Sequence, residues 1–212
     1  MLSLVSLNIA LPEKVNLGSG SKKHRTGIFK KPVKEKIFLD ERGFQGDGVG
    51  DTRIHGGIDL AVCGYSTDHF SFWEVELGRK IEPGAFGENL SLAGINETQI
   101  NVGDQFSLGE AEIEVSQPRQ PCHKLNKVFQ FQGMACKVQT TGFTGCYFRV
   151  KKTGWVEPDS LIKKIKVGEG KFSIEMINVL MFKEKKNREL LNKVASLESL
   201  SREWREKFQK RI

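Results

Sequence analysis

Up to about residue 168, the chain consists of short runs in which apolar and polar residues alternate, separated by glycine, proline, asparagine and aspartate. Ala111, Ile113 and Val115, for example, alternate with Glu112 and Glu114. A period of two is typical of a strand with one buried face, and strands at such close spacing favour a barrel or a sandwich. The predicted strands cover residues 2–9, 61–65, 105–108, 111–117 and 146–150.

After Gly168 and Gly170 the apolar residues change to helical spacing. The three apolar stripes consist of Ile174, Ile177, Leu180 and Met181, then Leu190, Leu191, Val194 and Leu197, then Leu200, Trp204 and Phe208. The sequence therefore predicts a mainly β fold with helices (α+β), in which a barrel-type domain spans residues 1–168 and a small helical domain spans residues 169–212.

Two helices are expected to interrupt the strands. Residues 67–78 present Phe70, Trp73 and Leu77 on one helical face, and a second helix is expected after Cys122. The charged stretch at residues 18–25 is predicted to be a mobile loop.

The positive charge of the chain is concentrated near its C-terminus. Of the formal net charge of +7, residues 1–169 carry +2 and residues 170–212 carry +5. A solvated basic helix face is the ordinary explanation, and a surface that docks an acidic partner is the sharper alternative. Nucleic-acid binding ranks last, because aromatic residues for base stacking are sparse in this segment.

The cysteine pattern and the apolar runs indicate a cytoplasmic protein. The four cysteines, at positions 63, 122, 136 and 146, form no C-x-x-C pair, so neither a disulfide framework nor a structural zinc site is expected. Free thiols fit a reducing compartment. At the N-terminus apolar and polar residues alternate as in a strand, whereas a signal peptide would have a continuous apolar run. No run approaches the ~18 apolar residues of a membrane span.

Cys122 is the first candidate functional residue. It lies between Arg119 and Lys124 where a strand pattern changes to a helical one, and Pro121 suits the first position of a helix. Cys122 is therefore expected in the first helical turn, where cationic neighbours and the helix dipole favour a thiolate. The alternative is a small buried cysteine that serves only as a hydrophobic residue.

A glycine-rich loop at residues 46–59 is the second candidate. It matches neither the dinucleotide-binding nor the Walker pattern, and its carboxylates are explained by turn formation better than by metal binding. Arg53, His55, Gly56 and Gly57 instead suggest an anion pocket, because glycines let backbone amides approach a ligand closely.

Two further segments could contribute to a binding site. Asn89 follows a turn and offers both donors and acceptors, as a flat heterocycle requires, although an amide bonded only to local backbone is equally expected there. Lys30 could contact a phosphate, but a basic surface turn would have the same sequence.

Taken together and in order, these segments resemble the MOSC family, the molybdenum cofactor sulfurase C-terminal domains, and within it the stand-alone YiiM-type branch. The matching segments are Thr26-Gly27-Ile28 with Lys30, Gly46-Asp47, His55-Gly56-Gly57, Phe86-Gly87-Glu88-Asn89-Leu90, Gly103-Asp104, Pro118-Arg119-Gln120-Pro121-Cys122 and Tyr147-Phe148-Arg149-Val150. The C-terminal stripes likewise resemble the three-helix module of this branch.

The resemblance implies a MOSC-type β-barrel whose cleft holds a molybdenum cofactor (molybdopterin), with Cys122 as the molybdenum ligand or as a sulfur carrier. It also implies reduction of small N-hydroxylated compounds such as 6-N-hydroxylaminopurine, from N–OH to N–H, for detoxification. The expected cofactor-binding residues are Lys30, Arg53, His55, Gly56, Gly57, Asn89, Arg119, Cys122 and Arg149. The expected catalytic residues are Cys122, His55 and Arg119.

The sequence contains no iron–sulfur cysteine spacing and no flavin fingerprint, so a separate electron-donor protein is expected. The alternative function is a sulfur carrier or cofactor-binding module with a Cys122 persulfide, for which a cysteine desulfurase or a cofactor-biosynthesis protein would be the partner. Two departures from the family pattern stand out. Leu60 replaces an expected lysine after Asp59, and Pro158-Asp159 replaces an expected Gly-Asp turn.

Overall fold

The structure, a computed structural model, describes residues 2–16, 23–52, 56–184 and 187–212. The strands are β1 (Ser3–Ile9), β2 (Glu13–Asn16), β3 (Lys23–Thr26), β4 (Lys31–Pro32), β5 (Ile37–Asp40), β6 (Gly43–Phe44), β7 (Val62–Ser66), β8 (Leu90–Ala93), β9 (Gln105–Leu108), β10 (Ala111–Pro118), β11 (Cys146–Lys152), β12 (Gly154–Val156) and β13 (Ile162–Lys166). The α-helices are α1 (Phe70–Leu77), α2 (Lys124–Val128), α3 (Met134–Thr141), α4 (Ile174–Phe182), α5 (Arg188–Ala195) and α6 (Arg202–Gln209). Short 3-10 helices cover Ile58–Leu60, Thr67–His69 and Glu169–Lys171.

The main sheet has the strand order β13-β9-β10-β11-β7-β8-β1-β4. All of its neighbouring strands are antiparallel except β7 and β8, which run parallel. Cα atoms of β1 also lie within 8 Å of β13, so the sheet curls into a half-barrel. Strands β12, β5 and β6 form a second sheet, and β2 and β3 form a separate two-stranded ribbon. The predicted fold, mainly β with helices, is confirmed.

One continuous apolar core joins the half-barrel to the C-terminal helices. Phe106 and Phe148 from the sheet belong to the same buried cluster as Trp204 and Phe208 from α6. A second buried cluster lies under α1, α2 and α3 and contains Tyr65, Trp73, Ile81, Phe86, Leu125, Phe129, Met134 and Val138. This second cluster supports the candidate site, because two of its members, Phe86 and Leu125, are close in sequence to residues that line the site.

Each C-terminal helix begins at a side-chain cap. Ser173, Asn187 and Ser201 accept hydrogen bonds from the backbone amides three residues further on. Such caps satisfy amides that have no partner within the helix, each contributing about 1 kcal/mol. The backbone amide of Ser201 also donates to the Ser116 carbonyl at 2.9 Å, which ties the start of α6 to β10. None of the helices in the described ranges has both the length and the apolarity needed to cross a bilayer.

Two local predictions need correction. The predicted loop at residues 18–25 lies partly outside the described residues, at 18–22, and residues 23–25 belong to β3. The loop prediction is wrong there because the charged residues of β3 pair with β2, where alternate side chains reach solvent. The helix predicted at 67–78 opens with the 3-10 turn Thr67–His69 and ends at Gly78, whose φ of 63° suits a left-handed helix cap.

Candidate functional site

A cleft with two adjoining lobes lies beside Cys122. The smaller lobe contains Cys122, Arg119 and Lys124, and the larger lobe, of about 500 Å³, contains Cys63 and Asn89. Both lobes are lined by Lys30, Gly48, Val49, Gly87 and Tyr147, so they adjoin each other across these residues. A volume of this size is typical of small-molecule and cofactor sites.

Cys122 opens to this cleft instead of packing in the core. Its side chain is partly exposed, and its Sγ lies 3.8 Å from Nδ1 of His123. The prediction that Cys122 lies in the first helical turn is wrong, because α2 begins at Lys124 and has only five residues. The Cys122 carbonyl instead accepts a hydrogen bond from the Leu125 amide at 2.9 Å, which fixes the approach to the helix.

Arg119 places a buried positive charge in the cleft. Only 6% of the residue is exposed, and its guanidinium donates to the Phe86 carbonyl. Burial alone would lower the pKa of Arg119, but the neighbouring Cys63, Tyr147 and Glu88 raise it, so the guanidinium stays charged. The hydrogen bond to Phe86 occupies one of the five N–H groups of the guanidinium, so others can serve a ligand.

Glu88 shapes the loop that presents the Phe86 carbonyl. This carboxylate is fully buried and accepts hydrogen bonds from the Gly84 amide at 2.7 Å, the Phe86 amide at 3.0 Å and the Ser91 hydroxyl at 2.6 Å. Burial raises the pKa of Glu88, and the hydrogen bonds oppose that shift in part. Glu88 therefore acts on the cleft through the backbone that holds Arg119.

Asn89 braces the wall of the larger lobe. Its Oδ1 accepts from the Cys63 amide at 3.0 Å, and its Nδ2 donates to the Asn8 carbonyl at 3.1 Å and to Asp47 Oδ2 at 2.8 Å. Both side-chain donors are therefore used within the protein. The alternative prediction, an amide bonded to local backbone, is wrong, because all three bonds join Asn89 to segments distant in sequence and one of them goes to a carboxylate.

Lys30 reaches both lobes but is paired with Asp47. Its Nζ lies 2.6 Å from Asp47 Oδ2, and the two side chains are only 6% and 10% exposed. Asp47 also accepts from the Ala10 amide at 2.8 Å. Lys30 is thus one half of a buried ion pair, and its charge is already compensated before any ligand binds.

Arg149 is not brought into the cleft. Its guanidinium binds Asp59 Oδ1 at 2.8 Å and Glu114 Oε1 at 2.9 Å. A step of two residues along a strand places Arg149 roughly 7 Å beyond Tyr147, where these carboxylates hold it. Gly56 and Gly57 do line the larger lobe. The predictions for Arg53 and His55 fall outside the described residues.

Two side chains of the cleft were missed as site residues in the sequence. Tyr147 and Cys63 are directly opposite each other on the paired strands β11 and β7, and both line the larger lobe. Burial and the neighbouring Cys63 raise the pKa of Tyr147, whose side chain hydrogen-bonds Arg119, and burial likewise raises the pKa of the Cys63 thiol. Tyr147 lies in one of the segments that match the family, whereas the only sequence signal for Cys63 was its position in a short strand after the glycine-rich loop.

Comparison with known proteins places these features in a family. A model of the MOSC domain matches residues 51–169, and a model described as "YiiM-like, 3-alpha helix domain" matches residues 173–212. The chain is 43% identical over 209 residues to the uncharacterized protein YflK of Bacillus subtilis, covering 99% of this chain and 94% of that protein. It is 33% identical to the protein YiiM of Escherichia coli, covering 88% of this chain and 84% of YiiM.

Solved structures agree with this similarity. The crystal structure of YiiM from Geobacillus stearothermophilus matches with a TM-score of 0.85 and 34% identity, covering 100% of this chain and 99% of that one. A partial match is 35% identical over 135 residues to a protein of Gibberella moniliformis named "Reductase", covering 61% of this chain but 24% of that protein.

Proposed function

Since this chain belongs to the MOSC domain family and carries the YiiM-like three-helix domain, we propose that it binds a molybdenum cofactor and reduces N-hydroxylated compounds such as 6-N-hydroxylaminopurine. The observation that carries the proposal is the position of Cys122, an accessible thiol in a small lobe of about 80 Å³ that also receives the buried cation of Arg119 and adjoins the larger lobe of about 500 Å³. The similarity to a protein named reductase supports a redox role.

The residues of the cleft fit such a cofactor. A thiolate is a suitable ligand for a metal that accepts sulfur, and Cys122 supplies it. Arg119 and Lys124 are cations that suit a terminal phosphate. Gly57 lines the larger lobe with a φ of 116°, and a Cβ atom at this position would meet no other atom within 4 Å, so the space beside its backbone is open.

When bound, the cofactor would supply the two-electron chemistry that removes oxygen from nitrogen. The overall reaction takes R–NHOH, two electrons and two protons to R–NH2 and water. The protein's own part is to orient the substrate and to supply protons. Tyr147 keeps a proton on its phenol oxygen and lines the cleft beside Arg119, so it is suited to donate a hydrogen bond to the N–O oxygen. His55 remains a predicted proton relay.

Metal analysis and a turnover assay test this proposal. Protein purified from cells that make the cofactor should contain molybdenum and reduce 6-N-hydroxylaminopurine with chemically reduced methyl viologen. The Cys122→Ser variant should fold but lose turnover. Absence of molybdenum from the wild-type protein, or turnover that does not depend on Cys122, would refute the proposal.

A sulfur-carrier function is the second candidate, and the accessibility of Cys122 favours it. A cysteine desulfurase would transfer a sulfur atom to the thiolate and form a persulfide. Mass spectrometry should then detect an adduct of about 32 Da on Cys122 that the Cys122→Ser variant lacks. A persulfide together with no turnover of N-hydroxylated compounds would favour this function over the reductase.

Reduction requires electrons from outside the chain, and we propose a separate electron-donor protein. The absence of an iron–sulfur cysteine spacing and of a flavin fingerprint from the sequence supports this. A small N-hydroxylated substrate would reach Cys122 through the cleft, whereas a protein donor would approach from its rim.

A further inference from the structure

The formal excess of positive charge in the chain equals that of four segments, of which β3, α2 and α6 adjoin the smaller lobe through Thr26, Lys124 and Lys207. Strands β2 and β3, helix α2 and residues 202–212 together contain ten lysine and arginine residues and three glutamates. Their sum is +7, which equals the formal net charge of the protein. All other segments together are therefore electrically balanced, and the charge asymmetry of this molecule is a property of these elements.

The ribbon of β2 and β3 contributes an unbalanced cationic face. Lys14 lies directly opposite Arg25, and Lys23, two residues before Arg25, projects to the same side. All three side chains are exposed, and the described residues provide no ion-pair partner for Lys14 or Arg25. Like charges directly opposite each other destabilise a strand pair, so this arrangement favours an external anion.

The ribbon adjoins the cleft through its last residue and through α2. Thr26 is buried and lines the smaller lobe next to Cys122. The ammonium group of Lys124 donates to the Arg25 carbonyl at 3.3 Å. The exposed cations of the ribbon therefore lie next to the wall of the smaller lobe.

Helix α6 approaches the smaller lobe through Lys207, whose charge is paired with Glu203 at 2.5 Å. Lys207 donates to Oε1 of Gln120 at 3.3 Å, and Gln120 itself lines the smaller lobe. The amide of Ser201 anchors the start of α6 to β10, so the helix is held in place beside the cleft. We define the basic rim as the exposed cations of the ribbon, Lys14, Lys23 and Arg25.

We propose that the basic rim is a docking surface for the acidic face of an electron-transfer protein. This inference rests on the proposed reductase function and adds the location and chemistry of the partner. Both strands of the ribbon carry the rim, and its three side chains are exposed on one side, where an acidic protein surface can reach all of them. Complementary charge also accelerates association by about 10- to 1,000-fold, with strong dependence on salt.

A charge-reversal pair tests the proposal. The Lys14→Glu/Arg25→Glu variant reverses the ribbon while keeping like charges opposite each other, so the strand pairing is altered little. The matched control is Lys163→Glu/Lys183→Glu, on β13 and at the end of α4, since both residues are exposed and line neither lobe. Both variants lower the formal net charge from +7 to +3.

Turnover of 6-N-hydroxylaminopurine is measured with two donors, reduced flavodoxin as an acidic protein and reduced methyl viologen as a small cation. At low salt, the ribbon variant should lose about tenfold in the second-order rate with flavodoxin, while the control variant loses less than about twofold. The difference should shrink as salt is added. The rate with methyl viologen should not fall in either variant.

The other outcomes separate a failure of the reductase function from a failure of the docking surface. If wild-type protein shows no turnover with methyl viologen, the reductase function itself fails. If methyl viologen supports turnover but flavodoxin does not, or if both variants lose equally, the docking surface is refuted and the reductase function stands. Binding of single-stranded DNA that only the ribbon variant loses, without flavodoxin coupling, would identify a nucleic-acid surface and also refute it.

Discussion

Replacement of Glu88 by alanine should destabilise the protein and loosen the cleft. The substitution leaves the buried amides of Gly84 and Phe86 without their acceptor. Each unsatisfied buried donor costs about 1–3 kcal/mol, and removal of a buried carboxylate returns part of that sum, so we expect a net loss of about 2–3 kcal/mol. This is a large share of the ~5–15 kcal/mol by which a domain is usually stable.

Urea unfolding followed by tryptophan fluorescence measures this loss as a lower midpoint at unchanged slope. The control is Glu82→Ala, which removes an exposed carboxylate from the same loop and should change the free energy of unfolding by less than about 0.5 kcal/mol. A Glu88→Ala variant as stable as the wild type would show that the carboxylate does not hold the loop, and the argument for indirect support of Arg119 would fail.

Glu88 should also give the stability a specific pH dependence. Its pKa in the folded protein is raised above the ordinary value of 4.5, so the folded state binds this proton more tightly than the unfolded state. The protonated Glu88 therefore adds to the free energy of unfolding at a pH below the ordinary pKa. This stabilisation is lost as the pH rises through the raised pKa of the folded protein. Relative to Glu88→Gln, which cannot titrate, the wild type should lose unfolding free energy over that interval. A constant difference between the two proteins would contradict the raised pKa.

Three further substitutions test the site and the core. Lys30→Met should cost about 3 kcal/mol in urea unfolding, because it leaves Asp47 as an unpaired buried charge; a loss below about 0.5 kcal/mol would contradict that pairing. Tyr147→Phe should retain molybdenum and the KM for substrate but lower kcat by about 100-fold, and unchanged kcat would remove Tyr147 from the proton-transfer role. Trp204→Ala should cost about 3–5 kcal/mol because this side chain is fully buried, and a smaller effect than that of exposed Trp155→Ala would contradict the shared core.

The strands and the C-terminal helices could be predicted because burial on one face leaves a period in the sequence. The pattern around Ala111 gives β10, and the caps at Ser173 and Ser201 match the observed helix starts. The helix at Met134–Thr141 was not predicted, because its buried apolar residues Met134 and Val138 form only one pair at the helical spacing of four residues. Short helices that depend on tertiary packing have weak local signals.

The site was predicted in part, because sequence shows which groups are chemically suited but not which are already paired. Arg119 and Cys122 do reach the cleft. Lys30 and Arg149 have the expected charge, yet carboxylates distant in sequence compensate both of them. The pairing of Tyr147 with Cys63 depends on strand register, and that of Lys30 with Asp47 on how two loops meet, neither of which the composition of single segments encodes.

The most direct test of the account is X-ray absorption at molybdenum in the cofactor-loaded protein. If Cys122 is the ligand, the Cys122→Ser variant should bind the cofactor with one fewer sulfur neighbour around molybdenum than the wild type. The Cys136→Ser variant, which changes an exposed cysteine that lines neither lobe, should leave the sulfur shell unchanged. An identical sulfur shell in the wild type and in Cys122→Ser would contradict the assignment of Cys122 as the molybdenum ligand.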